Sequence, residues 1–482
     1  MIIDLRNCNH SLPDAVKTCS GGFLGNDYIL HSLSNAYHAE STITVGNLDN
    51  GYYSIEAWFQ NSGGQNACYL AAGGDDNNRR MTALPVSHEW RKLTIRGIPV
   101  KSGKCTITLF SDANPGNWCK LCNVRLIKDD KPFEFLKGGD VSELLRVEDH
   151  GGKYYYKGEE RDCLEILKEA GFNIVRIRLY NAPGNPEFSP SNRLNPHGYQ
   201  NPAHTLELAR RAKQHGFQIL LSFHYSDYWT NGLSQFKPHE WENLEFKSLV
   251  KALYDFTYDF MKKMLEQDTL PEYVSIGNEI QGGICYPEGS VSNWPQLAEL
   301  LNAGHDAVKA VSPSSRVILH LDGATDYNKY ENFFGNCEFY NVRYDIIGTS
   351  YYPFWSQKCV EDLRIFCDYV SARFDKDIIV METGYNWNPT ASDGQPGQLE
   401  NNGPVQYPST PEGQKNFMLE LFNAIKCVRG GRCIGDIYWD PIMIAVPGLG
   451  WEEGKRNVVD NTTLFDFKGE ALPVLDVYKY NT

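Results

Sequence analysis

The sequence predicts an α/β protein: a (β/α)8 TIM barrel preceded by an all-β jelly-roll/sandwich domain. At 482 residues the chain is longer than one hydrophobic core usually supports, so two domains are expected, residues 1–132 and 133–482. Up to Pro132, short segments alternate apolar and polar side chains between turn signals. After it, helical stretches alternate with eight short apolar runs, and two of those runs stop on a glutamate.

In the first domain, Gly51–Phe59, Trp90–Ile98 and Lys104–Phe110 alternate in the period-2 manner of half-buried strands. Gly/Asn/Asp clusters such as residues 73–78 separate them. Many short alternating strands indicate an antiparallel sandwich or jelly roll. The segment Trp90–Val124 resembles the last strands of jelly-roll carbohydrate-binding modules appended to glycanases. Such modules often carry a calcium-ligating Asp-Asp before the final strand, and here Cys122-Asn123 stands in that place. Sugar binding by this domain and a purely structural role both stay open.

The 13 cysteines are an odd, scattered set. Cys119-Lys120-Leu121-Cys122 is a lone C-x-x-C without a second pair at zinc spacing, so it reads as structural. Free thiols at this density suit a reducing compartment. The N-terminus, Met1-Ile2-Ile3-Asp4, lacks the basic region and apolar core of a signal peptide. The expectation is therefore a cytoplasmic protein, or a secreted or cell-surface one if an export signal has been removed.

In the second domain, Glu160–Ala170 has helical apolar spacing, stops at Gly171 and leads into the run Asn173–Leu179. His204–His215 stops at Gly216 and leads into Phe217–Phe223. Strands are expected near residues 135, 174, 218, 273, 316, 345, 378 and 434. A doubly wound sheet would need a G-x-G-x-x-G turn after its first strand, and Gly138-Gly139-Asp140 lacks that spacing.

In such a barrel, chemistry gathers where strands end. Strand 2 offers Arg178, and strand 3 ends in His224-Tyr225-Ser226-Asp227-Tyr228-Trp229. Strand 4 offers Asn278 and Glu279, strand 5 ends near His320-Leu321-Asp322, and strand 6 offers Ser350-Tyr351-Tyr352-Pro353. Strand 7 offers Glu382 and strand 8 Tyr438-Trp439-Asp440. Each alone has a plain structural reading: an ion pair for Arg178, a satisfied core histidine for His224, core packing for Trp439. Together they must point into one cleft. Two carboxylates in one cleft are the minimum equipment for cleaving a glycosidic bond. His224 and Asp227 are too few for a zinc site, so no metal is assigned. A 13% aromatic content suits sugar stacking, and a net charge of −14 argues against nucleic acid or anionic membrane as partner.

Gly139-Asp140-Val141-Ser142, Gly171–Arg178, His224–Trp229, Gly277-Asn278-Glu279, Gly348–Pro353 and Leu464-Phe465-Asp466-Phe467 together resemble glycoside hydrolase family 53, the arabinogalactan endo-β-1,4-galactanases. The matches run in family order from about residue 135 to 478. The resemblance implies Glu279 as acid/base and Glu382 as nucleophile of a retaining endo-hydrolase of galactan or type I arabinogalactan. It implies substrate contacts from Arg178, His224, Asp227, Trp229, Asn278, Tyr352, Trp387 and Trp439. Arg178 and the Tyr352 hydroxyl are expected to keep Glu382 ionised. No cofactor is required, and a structural calcium stays open.

Three departures from the family stand out. Thr230–Ser234 replaces a usual Ala-Asp-Pro-Gly-Lys run, Asp440 follows Trp439 where Glu is common, and the loop Trp451–Asn457 is atypical. Because loops set specificity, another endo-β-glycanase acting on mannan or β-glucan is the alternative. A non-catalytic polysaccharide-binding protein is the other.

Overall fold

A computed structural model describes residues 1–74, 79–184, 197–404, 406–451 and 454–481. Part of the turn cluster at 73–78 and part of the loop 451–457 lie outside these residues. The chain packs as two compact units. One comprises Met1–Phe135, Lys415–Ile434 and Asp476–Thr482; the other comprises Leu136–Gln414 and Gly435–Leu475.

The first unit contains two five-stranded antiparallel sheets. One orders its strands Asn9–His10, Tyr37–Val45, Cys105–Ala113, Ala67–Gly73, Arg80–Ala83. The other runs Val16–Cys19, Tyr28–Ser32, Trp118–Asp129, Gly51–Asn61, Ser87–Val100. The period-2 pattern is the cause: Ile55, Ala57 and Phe59 are buried, whereas Glu56, Trp58 and Gln60 between them are partly exposed. The inner faces share one core that includes Ile29, Leu70, Leu93, Ile107 and Leu121. Cys119 and Cys122 are both buried on one strand, and they do not form a disulfide with each other. The later segments are tied in by polar contacts. Buried Lys426 donates to Thr82 Oγ1 at 2.7 Å and to Asn481 Oδ1 at 2.8 Å. Arg96 donates to the carbonyls of Lys426 and Val428, each at 3.0 Å.

Eight parallel strands close the barrel: Leu136–Asp140, Ile174–Leu179, Gln218–Phe223, Tyr273–Ile276, Arg316–Leu321, Ile346–Ser350, Asp377–Thr383 and Cys433–Tyr438. They are numbered 1 to 8 below. Strands buried on both faces read as near-continuous apolar runs, which is why all eight were visible in the sequence. Helix Pro202–Gln214 starts on the Asn201 side chain. Helix Cys163–Ala170 starts on Asp162 and ends at Gly171, whose φ of 105° only glycine adopts readily. That helix is shorter than the spacing suggested. Glu159–Arg161 instead pairs with Tyr154–Tyr156 in a small hairpin, and Asp162 caps what remains. Among the described residues, no helix is long and apolar enough to cross a membrane.

Candidate active site

At the end of strand 4 the backbone makes a tight reversal. Gly277 has φ +83° and Glu279 φ +49°, ψ +56°, a left-handed conformation that is costly for a residue with a side chain. It turns Glu279 into the barrel mouth. Between strands 6 and 7 the register shifts after Thr349, which pairs with Val380, so that Ser350 pairs with Glu382. A carboxylate oxygen of Glu279 and one of Glu382 lie within 4.8 Å of each other.

The two acids have different surroundings. Arg176 Nη1 donates to Glu382 Oε1 at 2.6 Å, and the Tyr352 hydroxyl donates to Glu382 Oε2 at 3.3 Å. Burial lifts the Glu382 carboxyl above the usual glutamate value, against the pull of Arg176. Among the described residues no cation is in contact with Glu279, and its Oε1 lies 2.8 Å from Ser350 Oγ. Burial, then the Glu382 and Asp322 carboxylates, push Glu279 up to about 8. One group of the pair is thus held protonated at neutral pH, while the other keeps a guanidinium partner.

Around them opens a cleft of about 570 Å³. Trp229, Tyr352, Trp355, Trp439 and Trp451 give it aromatic walls, and Asn278, Gln281 and Asp322 give it hydrogen-bonding groups. Leu233, 92% exposed at the tip of the Thr230–Ser234 turn, and Trp355, 52% exposed, stand at its rim. Many aromatic faces with a few convergent polar groups suit a chain of sugar rings.

The sequence pattern of Glycosyl hydrolase family 53 matches residues 136–478. The chain belongs to this family. An arabinogalactan endo-β-1,4-galactanase of Cellvibrio japonicus is 32% identical over 367 residues, covering 73% of this chain and 92% of that protein. An uncharacterized protein of Niallia circulans is 34% identical over 360 residues, covering 72% of this chain and 94% of its own. Among solved structures, the family 53 catalytic domain of Ignisphaera aggregans superposes with a TM-score of 0.68 at 38% identity, covering 73% of this chain and 97% of that one.

Of the residues singled out from the sequence of this family 53 hydrolase, Glu279, Glu382, Trp229, Asn278, Tyr352 and Trp439 line the cleft. Four do not. Arg178 lies behind Trp439, its guanidinium carbon 4.5 Å from the ring centroid, and pairs with Asp140, Glu143 and Asp440 at 3.3, 3.4 and 3.1 Å. His224 is buried, with Nδ1 2.6 Å from Thr230 Oγ1 and its ring beside Tyr180. Asp227 accepts from the backbone N–H groups of Ala182 and His239, each at 2.8 Å, and so ties loops together. Trp387 packs on Phe467 and donates to the Asp460 carbonyl at 3.2 Å.

The direct partner of Glu382 is therefore Arg176 and not Arg178, which acts on it only from a distance. Both arginines project from strand 2 at the same parity. Choosing the residue nearest the strand end overlooked the reach of a guanidinium from one step deeper. Sequence reasoning placed His320 and Ser350 at the ends of strands 5 and 6 but gave neither a role.

Asp440, also in a left-handed conformation, accepts from Trp451 Nε1 at 3.2 Å. Burial pushes its carboxyl up to about 7, against Arg178. The acid that departs from the family pattern thus connects the arginine layer to a cleft tryptophan.

Proposed function

We propose that this protein is an endo-acting, retaining hydrolase of the β-1,4-galactosidic bonds of galactan and type I arabinogalactan, with Glu382 as nucleophile and Glu279 as acid/base. The observation that carries the mechanism is the approach of the two carboxylates to within 4.8 Å. Retaining glycosidases place their carboxyl groups about 5–5.5 Å apart, whereas inverting ones leave about 6.5–9.5 Å for a water. The substrate class rests on the named galactanases among the relatives, which align along nearly their whole length.

The reaction follows from the electrostatics. Glu382, aimed by Arg176 and Tyr352, attacks the anomeric carbon. Glu279 protonates the departing oxygen, so the leaving sugar departs as an alcohol. Forming the glycosyl ester removes the negative charge of Glu382, one cause of the raised Glu279 pKa. Glu279 then falls toward an ordinary acidity and takes a proton from the attacking water. The two carboxyls supply nucleophile, acid and base, so this scheme calls for no cofactor.

Hydrolysis of linear galactan, arabinogalactan, mannan and a β-glucan, followed by proton NMR of the new reducing ends, tests both parts. Galactan should be cleaved internally, with the β-anomer appearing first. Preferred cleavage of mannan or glucan would overturn the substrate assignment, and an initial α-anomer would overturn retention.

A further inference from the structure

A closed run of hydrogen bonds joins the two acids behind the cleft. From Glu382 it passes to Arg176, whose Nη2 donates to Asn278 Oδ1 at 2.7 Å. Asn278 Oδ1 lies 3.1 Å from His320 Nδ1. His320 Nε2 lies 2.8 Å from Ser350 Oγ, which is 2.8 Å from Glu279 Oε1. His320 and Arg176 are fully buried, and Asn278 and Ser350 nearly so.

Counting hydrogens settles which atoms donate. Asn278 Nδ2 donates to the Thr230 carbonyl at 3.1 Å, so the amide orientation is fixed at both ends and Oδ1 faces Arg176 and His320. An oxygen acceptor opposite Nδ1 requires that Nδ1 carry the ring hydrogen. Burial, then Arg176, hold His320 well below its ordinary pKa, so the ring is neutral and Nε2 is a bare acceptor. Ser350 then has one hydrogen and two neighbours that accept it, His320 Nε2 and Glu279 Oε1.

We propose that His320 is a positioning residue for the acid/base step, competing with Glu279 for the single hydroxyl hydrogen of Ser350 and so favouring the protonated form of Glu279. This rests on the acid/base reading of Glu279. When Glu279 is protonated, its own O–H closes the contact to Ser350 Oγ, Ser350 donates to Nε2, and every group in the run is paired. When Glu279 is ionised, Oε1 draws the Ser350 hydrogen and Nε2 loses its donor. Releasing the proton to the leaving oxygen therefore breaks one neutral hydrogen bond, and recovering it from water restores that bond. The serine hydroxyl only rotates, so no covalent bond at Ser350 or His320 changes. Other charged groups facing Glu279 are Glu382 from strand 7, Asp322 beyond strand 5 and Arg176 from strand 2. Lys329 is paired to Asp322, and His320 itself faces Arg176 and His224.

The test is the alkaline limb of the pH–rate profile. His320→Asn keeps a donor opposite Asn278 and removes only the acceptor opposite Ser350. It should lower the pKa of the alkaline limb by about one pH unit, the size of one neutral hydrogen bond. In a Ser350→Ala background the same substitution should shift nothing, because the two residues act through one hydrogen. An unshifted or raised limb in His320→Asn, or an equal shift in both backgrounds, would overturn the proposal. Ring nitrogen-15 shifts of the wild-type protein decide it independently of any variant: protonated Nδ1 with bare Nε2 is expected, and a protonated Nε2 excludes the competition. Glu279→Ala, assayed on a galacto-oligosaccharide with an activated aryl leaving group, should have no alkaline limb. If that limb persists, the acid/base reading of Glu279 fails, separately from the role of His320.

Discussion

The interior of the β sandwich and the mouth of the barrel both bury polar side chains, but among the described residues up to Pro132 no charged side chain is buried. In the sandwich His31 is fully buried, and its ring nitrogens lie 2.7 Å from Ser41 Oγ and 3.0 Å from Ser111 Oγ. Burial, then His10, push His31 down to about 4, so it stays neutral at ordinary pH. In the barrel, Asp140, Glu143, Arg176, Arg178, Glu382 and Asp440 are all buried. Charges taken out of water cost several kcal/mol each unless well paired, and hydrophobic replacements are often as stable. A fold carries that cost where chemistry needs the charge. The difference separates a region built to hold its shape from one built to react.

The comparison can be broken most directly at Glu382. Glu382→Gln should reduce galactan turnover on the order of 10⁴-fold or more while leaving the circular dichroism spectrum unchanged. Activity within tenfold of wild type would remove Glu382 as nucleophile. Arg176→Lys keeps the charge but loses the fork that holds Glu382 and Asn278 together, and should lower kcat about 10²-fold. Because Arg176 opposes the rise in the Glu382 pKa, weakening it should raise that pKa further. The acid limb of the rate profile then moves to higher pH; a limb moving down would contradict the assignment.

Glu279→Gln sharpens the contrast between stability and activity. A carboxyl raised to about 8 in the folded state, and ordinary when unfolded, costs stability as pH climbs from the unfolded pKa toward 8. The neutral amide should raise Tm at pH 7 and change it little at pH 4, while lowering kcat about 10²- to 10⁴-fold on substrates with poor leaving groups. A Tm gain of equal size at both pH values would show that the effect is not ionisation. The smallest catalytic effect is expected in the sandwich. Ser111→Ala leaves His31 Nδ1 without a partner, at about 1–3 kcal/mol in thermal or denaturant unfolding. Hydrolysis of soluble galacto-oligosaccharides should stay within twofold, and a larger loss would tie the sandwich interior to the chemistry.

What the sequence disclosed follows from which signals are local. The barrel strands are Val/Ile runs, and both glutamates were legible because each closes such a run with a carboxylate. The sandwich strands showed through period-2 alternation. Partner choice was not legible. Arg176 and Arg178 lie two residues apart on the same side of strand 2, and only three dimensions reveal which one reaches Glu382. Trp387 and Asp227 carry side-chain types common in sugar sites, yet Trp387 donates to the Asp460 carbonyl and Thr463 Oγ1, and Asp227 accepts from backbone N–H groups. His320 and Ser350 matter through each other, across strands 5 and 6, and no spacing in the sequence encodes that contact.

Neither unit is one continuous stretch of chain. The first takes in Lys415–Ile434 and everything from Asp476 onward, so its Lys426 meets Thr82 and Asn481 only after nearly the whole chain exists. During synthesis from the N-terminus, the two sheets have their strands early but wait through the entire barrel for their last partners. Domains otherwise tend to fold as they emerge from the ribosome. Here the first unit cannot be completed until the chain has been made as far as its last segment. A transplant of residues 1–132 onto another enzyme would carry the sheets without the segments that finish them.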